Sequence, residues 1–306
     1  SYFKFLGSLL RDRTQSTRVG NRMSAKGVVE RGVPQGSVIG PFCWVAVMDS
    51  LLKTLEAKVP QVALQRTGYP TSFTGGQYPT DGNPWWGVMA YADDSVIWLT
   101  GWDVGGLLVA GRQVLKVIEE WAGQKAIPIS DKSKAMLFRS RASQFEHEID
   151  AVNAAHLRCG GVSVPLLSDK GDSMSFLGVL LDPGLTFAAH AESVCTSVQS
   201  SLDSIRKLSS VLSPATSRAL YVGKALSTLT YGAAAWSPGL SAGQRALLAS
   251  QHHAGAQLIT GAISHTRLST VVREAGFREL ECIFQTIMQT TAEKVRRLPG
   301  DCPVRH

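Results

Sequence analysis

Two adjacent aspartates set between two apolar strands constrain this chain more than any other feature. Trp85-Trp86-Gly87-Val88-Met89-Ala90 runs into Tyr91-Ala92-Asp93-Asp94, and Ser95-Val96-Ile97-Trp98-Leu99-Thr100 follows. Both flanks are rich in β-branched and aromatic residues, the composition of strands. Asp tolerates the tight turn between them. The spacing therefore predicts a β-hairpin with two carboxylates at its tip. Like charges side by side repel, so such a tip is a poor structural choice by itself. A hard divalent cation removes the conflict, because Mg²⁺ takes carboxylate oxygens together with substrate phosphates rather than a full protein cage. Two such ions clamp the attacking and leaving oxygens of an in-line phosphoryl displacement. An isolated Asp-Asp pair would read as an ordinary surface turn; the apolar strands on both sides tilt against that.

A second motif lies upstream: Gly32-Val33-Pro34-Gln35-Gly36-Ser37-Val38-Ile39-Gly40-Pro41. Pro34 fixes the backbone, and Gly36 removes a side chain where the backbone must come close to a ligand. Ser37 is placed to cap a following helix that carries Val45, Val47, Met48, Leu51, Leu52 and Leu55 to about Ala57. GVPQGSVIGP followed by YADD resembles the reverse transcriptase family. More narrowly it is similar to non-LTR (LINE-type) retrotransposon enzymes, with an ingi-like or jockey-like flavour. Either motif alone is suggestive; the ordered pair is specific.

Charge agrees with a polyanionic partner. The net charge is +7, and most of it sits in residues 1 to 31, where Lys4, Arg11, Arg13, Arg18, Arg22, Lys26 and Arg31 face only Asp12 and Glu30. A basic block ahead of a phosphoryl-transfer site suits nucleic acid, although a solvated surface alone also produces such runs. The five cysteines are odd in number, widely spaced and never CxxC, which argues against a disulfide framework or zinc cluster and for a reducing compartment. No apolar run is long enough to span a bilayer. The chain opens on Ser1, in what already reads as a helix, so it is expected to be a piece of something longer.

In chain order, Tyr2 to Leu10 reads as the end of an amphipathic helix, Arg11-Asp12-Arg13 as a basic turn, and 15 to 33 as a hairpin turning at Gly20-Asn21. Residues 59 to 84 form a long polar loop. Residues 103 to 123 form an amphipathic helix, 139 to 155 a polar helical connector, and 157 to 170 a short hairpin. Ser175 to Asp182 is expected as a strand through Phe176-Leu177-Gly178. From 188 onward helices follow at 188 to 208, 213 to 232, 241 to 260, 266 to 275 and 278 to 297. His252-His253 reads as surface rather than metal-binding, because no third ligand is in view.

The resemblance implies a partial α+β polymerase palm, an antiparallel sheet with packed helices, over 1–186, and an all-α thumb and connection over 187–306. It implies that Asp93 and Asp94 hold metal and that Tyr91 packs beneath the nucleotide or primer end. Pro34, Gln35, Gly36 and Ser37 would form the bend that cradles it. Phe176, Leu177 and Gly178 would be the primer grip. Lys132, in Ile127-Pro128-Ile129-Ser130-Asp131-Lys132-Ser133-Lys134, aligns with a family lysine that is a candidate general acid for the departing pyrophosphate; a surface lysine at a strand start fits equally well. Lys207, Arg218 and Lys224 would line a duplex groove. Two departures stand out. The family commonly has Leu-Trp-Asn where this chain has Phe42-Cys43-Trp44-Val45, and Asn where it has Ile129.

A family active site also needs a third carboxylate from an earlier strand. The only aspartate in residues 1 to 31 is Asp12, in a turn between two arginines. The first catalytic strand and fingers are therefore expected to be absent, and the chain alone is expected to extend primers little. The activity implied is RNA-directed DNA polymerisation in target-primed reverse transcription. It would use Mg²⁺ (or Mn²⁺), an RNA template, a DNA primer or target and dNTPs, within a retrotransposon polyprotein in nuclear ribonucleoprotein particles. Two alternatives stay open: a decayed or repurposed copy that binds nucleic acid without chemistry, and a group II intron type enzyme.

Overall fold

The computed structural model describes residues 7–8, 11–29, 32–33, 36–63, 85–92, 94–100, 104–138, 156–263 and 265–298. Pro34, Gln35, Asp93, most of the polar loop, the connector 139–155 and the start of the first expected helix lie outside the described residues.

The chain is mixed helix and sheet. A two-tier ribbon comes first: β2 (Arg18–Val19) pairs with β3 (Arg22–Met23) around the expected Gly20-Asn21 turn, and β1 (Thr14–Gln15) pairs with β4 (Gly27–Val28) below it. Helix α1 (Gly40–Ala63) runs beyond the expected Ala57 because its stripe continues. Met48, Leu51, Leu55 and Val59, three or four residues apart, are all buried.

Strands β5 (Trp85–Tyr91) and β6 (Asp94–Thr100) form the expected hairpin, in the register Trp86↔Leu99, Val88↔Ile97 and Ala90↔Ser95. Strand alternation gives it one apolar face. Trp86, Val88, Ala90, Ile97 and Leu99 pack on α1 and on α2 (Val104–Lys125), which contributes Val114, Val117 and Trp121. On the opposite face the Trp98 indole covers Gly87, its cross-strand partner, so closely that no side chain fits there. The far side of α2 meets a second small cluster. There Leu115 and Ile118 pack on the hairpin of β8 (Leu157–Cys159) and β9 (Val162–Val164), and β10 (Leu166–Leu167) pairs in parallel with β7 (Ala135–Met136). Among the described residues the strands pair only in twos.

The expected strand through Phe176-Leu177-Gly178 is instead a tight hairpin, β11 (Met174–Phe176) and β12 (Val179–Leu181). Leu177 and Gly178 are its two central residues, with φ 47° and 81°. Both are left-handed, as a turn that matches the strand twist requires. Gly accepts this freely; for Leu177 it costs about 1 kcal/mol, and a contact described below offsets it.

The remainder is helical: α3 (Ala188–Leu208), α4 (Pro214–Leu220), a π-helical turn (Tyr221–Leu226), α5 (Ser227–Thr230), α6 (Ala233–Trp236), a 3₁₀ turn (Ser237–Gly239), α7 (Ala242–Thr260), α8 (Leu268–Glu274) and α9 (Leu280–Arg296). One core joins them. Trp236, Tyr221, Phe284, Leu202, Leu229 and Leu248 are fully buried, and Val179 and Leu181 of β12 pack against the same core. The single helix expected over 213 to 232 is interrupted because Tyr221 must reach across to α7. Its ring lies against Gly255, where any side chain would collide, and its hydroxyl meets His252 Nδ1 at 2.6 Å. A π turn is a common way to reset such a side chain within a helix.

Two polar devices fix the helix starts. The Asp182 carboxylate accepts from the backbone N–H groups of Gly184 (3.1 Å), Thr186 (3.0 Å) and Phe187 (2.6 Å), and from the Thr186 hydroxyl (3.3 Å), so β12 is locked to the entry of α3. Ser241 and Gln244 form a reciprocal capping box at α7.

Candidate active site

The apex of β5–β6 is built from its last rung. Tyr91 pairs with Asp94, the rung that closes the turn containing Ala92. Ala92 has φ 53°, the left-handed value such a turn asks of its first central residue. The strain is compensated: the Trp44 indole N–H donates to the Ala92 carbonyl at 2.5 Å. Trp44 sits in the first turns of α1, directly after the glycine-rich bend, and also packs on the hairpin core. The start of α1 and the turn at Ala92, 48 residues apart by this bond, are thereby fastened together.

Within the bend, Gly36 has φ 80° and open space around it, so its glycine is required by conformation. The Ser37 hydroxyl accepts from the Gly40 N–H at 3.1 Å, the helix-capping role expected of it. At the apex Tyr91 is 66% exposed and Asp94 is also exposed. A carboxylate here keeps access to water, to a cation and to a polyanionic substrate. Two hard oxygen donors adjacent in sequence, one of them exposed at a tip, suit a hard divalent cation whose remaining ligands come from water or phosphate. Among the described residues no three His, Cys, Asp or Glu side chains gather to hold a metal.

Lys132 is exposed in the turn before β7, with its backbone N–H on Ser130 Oγ at 3.2 Å. Among the described residues no hydrogen bond or ion pair joins its side chain to the apex. Its neighbour Ile129 belongs to the core: it packs with both the hairpin cluster and the β8–β9 cluster, and its δ-methyl lies against Gly160. The other departure, Val45, is 66% exposed on α1 near Phe42 (70%) and Val38 (85%).

The turn at Leu177-Gly178 is held from the helical side. Tyr231 Oη donates to the Leu177 carbonyl at 2.9 Å, and its ring would lie 3.1 Å from a side chain at Gly178. The close approach expected at Gly178 is thus made by Tyr231 of this chain. Sequence reasoning missed both fastening residues, Trp44 and Tyr231; each looks like an ordinary aromatic until the partner element is in place.

One expectation is corrected. His252 is buried, not at the surface. Its Nε2 faces the Arg278 carbonyl at 3.0 Å, so Nε2 carries the proton and Nδ1 accepts from the Tyr221 hydroxyl. Burial holds the His252 imidazole below its usual range and pushes the Tyr221 phenol up. Arg218 is exposed and tied to its own bundle. It lies 4.8 Å above the Phe277 ring and donates to the carbonyls of Ala275 and Gly276, closing the turn after α8. Among the described residues no helix is long and apolar enough to cross a membrane.

Comparison with known proteins agrees with the geometry. A family model described as reverse transcriptase (RNA-dependent DNA polymerase) matches residues 3–181. A putative 115 kDa protein in the type-1 retrotransposable element R1DM of Drosophila melanogaster is 25% identical over 220 residues, 70% of this chain and 18% of that protein. A retrovirus-related Pol polyprotein from the type-1 retrotransposable element R1 of Bradysia coprophila is 24% identical over 212 residues, 68% of this chain and 17% of its own length. Its counterpart from Nasonia vitripennis is 22% identical over 214 residues, 68% of this chain and 53% of its own length. The chain thus spans less than a fifth of the first two relatives. No solved structure matches it.

Proposed function

Because this chain belongs to the reverse transcriptase family, on its non-LTR retrotransposon side, we propose that it is part of an RNA-directed DNA polymerase acting in target-primed reverse transcription. Residues 1–186 are assigned to the palm and 187–306 to the thumb and connection. The observation that carries this reading is the Trp44–Ala92 bond, which ties the start of the helix that follows the glycine-rich motif to the turn of the β5–β6 hairpin.

In this reading Asp93 and Asp94 hold Mg²⁺ or Mn²⁺. When bound, two such ions activate the primer hydroxyl and neutralise charge on the departing pyrophosphate. The remaining work falls to the chain. Pro34, Gln35, Gly36 and Ser37 shape the floor under the incoming dNTP and template base, and Tyr91 supports the primer end from the strand before the apex. Phe176, Leu177 and Gly178 steady the primer strand on a turn held by Tyr231. Lys132 is assigned the pyrophosphate side, reaching it only once the substrate is bound, since apo geometry does not exclude a general acid. The partners are an RNA template, a DNA primer or target, dNTPs and further polyprotein sequence, in a nuclear ribonucleoprotein particle.

The test is primer extension on poly(rA)/oligo(dT), with the chain alone and with its flanking coding sequence. Little extension is expected alone, and divalent-metal-dependent extension in the longer form, abolished by Asp93→Asn or Asp94→Asn. Extension that survives both substitutions would remove the metal assignment. Template–primer binding without extension in any form would favour a non-catalytic copy instead, the reading to which the core-packed Ile129 lends weight.

A further inference from the structure

The Leu177-Gly178 turn is weakly held by its own strands. Strands β11 and β12 give it three rungs, Met174↔Leu181, Ser175↔Leu180 and Phe176↔Val179, and among the described residues no third strand joins them. A two-stranded hairpin is marginal by itself. Leu177 also stands at φ 47°, a conformation that a side chain rarely adopts.

The helical bundle holds the hairpin instead, at three points. Tyr231 Oη donates to the Leu177 carbonyl at 2.9 Å. His190, in the first turn of α3, accepts from the Leu180 N–H on Nδ1 at 3.3 Å. The Asp182 carboxylate ties the end of β12 to the entry of α3. Of the three, the Tyr231 bond reaches the turn itself.

Tyr231 is fixed in its own right. Its carbonyl accepts from the Trp236 indole N–H at 2.8 Å, and Trp236 is fully buried, edge-on to Phe284 with ring centroids 5.4 Å apart. The next residue, Gly232, stands at φ 61° against β12, where a Cβ would come within 3.3 Å of a Val179 methyl. The backbone at 231–232 is thus clamped between the core and the strand. The Tyr231 side chain is different: the residue is 57% exposed, so burial does not explain where its ring lies. The ring lies on Gly178, where a Cβ would come within 3.1 Å of Cε1.

Nucleotide addition needs the primer hydroxyl in line with the incoming phosphate, and a misplacement of about 1 Å costs about a hundredfold in rate. We propose that Tyr231 is a positioning residue for nucleotide addition: through it the buried Trp236 core sets where the Leu177-Gly178 turn holds the primer end. The inference rests on the polymerase reading and adds to it a residue from the helical part. Tyr231 acts through the turn and touches no reacting atom. A tie that fixes one geometry favours a paired terminus, and a mismatched terminus, displaced from that geometry, gains little from it.

The experiment uses the longer form that extends primers. It measures the single-turnover rate of one nucleotide addition from a matched and from a mismatched primer end, with primer–template affinity and melting temperature alongside. Tyr231→Ala is expected to lower the matched rate by roughly 10- to 100-fold. The mismatched rate should fall much less, and the affinity should hardly change. Tyr231→Phe keeps the ring and loses the bond, and its matched rate should fall between the two; it carries the same test if Tyr231→Ala melts below the assay temperature. Gly178→Ala disturbs the same contact from the other side, so its loss combined with that of Tyr231→Ala should be smaller than the product of the two. An unchanged matched rate, equal losses from matched and mismatched ends, or independent effects of the two substitutions would overturn the inference and leave the polymerase reading standing. No extension by the unaltered protein would remove that reading and the inference with it.

Discussion

In the β5–β6 hairpin the side chains assigned to the chemistry face water, whereas in the helical part the large side chains face one another. Tyr91 and Asp94 are exposed at a turn whose backbone is strained at Ala92 and tied by one indole. Trp236, Tyr221 and Phe284 are fully buried, and three of the polar residues carried inside with them are bonded: Tyr221 to His252, His252 to the Arg278 carbonyl, Asp182 to four donors. The difference teaches where this chain keeps its rigidity. A tip proposed to bind metal has to stay open to substrate, so its geometry is fixed from outside itself. Trp44 fixes it on one side, and Tyr231 fixes the neighbouring Leu177-Gly178 turn from the bundle.

The contrast can be broken in several ways. Replacing Asp94 with Asn in an active form is expected to lower nucleotidyl transfer on the order of a thousandfold, a loss of several kcal/mol in transition-state stabilisation. The melting curve should hardly move, because the residue is exposed; a large fall in melting temperature would show that the apex is structural. Trp236→Ala should do the opposite. It is expected to cost about 3–5 kcal/mol of stability by denaturant titration, since the cavity would open at the centre of the core. A cost below about 1 kcal/mol would mean that the bundle is not one packed unit.

Asp182→Ala removes an acceptor shared by four donors at the junction of β12 and α3, and about 3 kcal/mol is expected by the same titration. Asp182→Asn should recover part of it.

Acidification supplies the next largest effect. His190 and His252 are buried, and burial holds both below the ordinary value of 6.5. As pH falls, the unfolded chain therefore takes up these protons first. Stability is full above pH 6.5 and is lost as pH drops toward the folded values, by about 1.4 kcal/mol per pH unit for each histidine. Denaturant titrations at pH 7.5 and 5.5 measure it, and His190→Gln/His252→Gln should flatten the difference. An equally steep fall in the double variant would assign the acid sensitivity elsewhere.

The smallest stability effect is expected at Trp44→Phe, about 1 kcal/mol for the lost bond to Ala92. Its effect on primer extension should exceed that figure's equivalent, because the substitution loosens the apex and leaves the bundle alone. Equal effects on both would place the bond with the core rather than with the site.

Much of the architecture was legible in the sequence. The alternation through Trp86, Val88, Ala90, Ile97 and Leu99 set the hairpin face, and stripes three and four residues apart set α1, α2 and α3, because period alone decides which face is buried. The Ser37 cap and the Gly20-Asn21 turn were equally readable as local chemistry. Leu177-Gly178 was not, since Leu is a poor left-handed residue and nothing local announces a turn there; Tyr231, far along the chain, holds it. His252 was misjudged for a related reason. Here both ring nitrogens find partners inside the core, and these come from Tyr221 and Arg278 on other elements.

The order of motifs, the position of the two aspartates and the helical periods were settled by the sequence alone, because each depends on neighbours within a few residues. The tertiary structure decided that Trp44 reaches the apex, that Tyr231 pins the second turn, and that Gly255 admits the Tyr221 ring. Those are contacts between elements, and no local preference specifies where one element meets another.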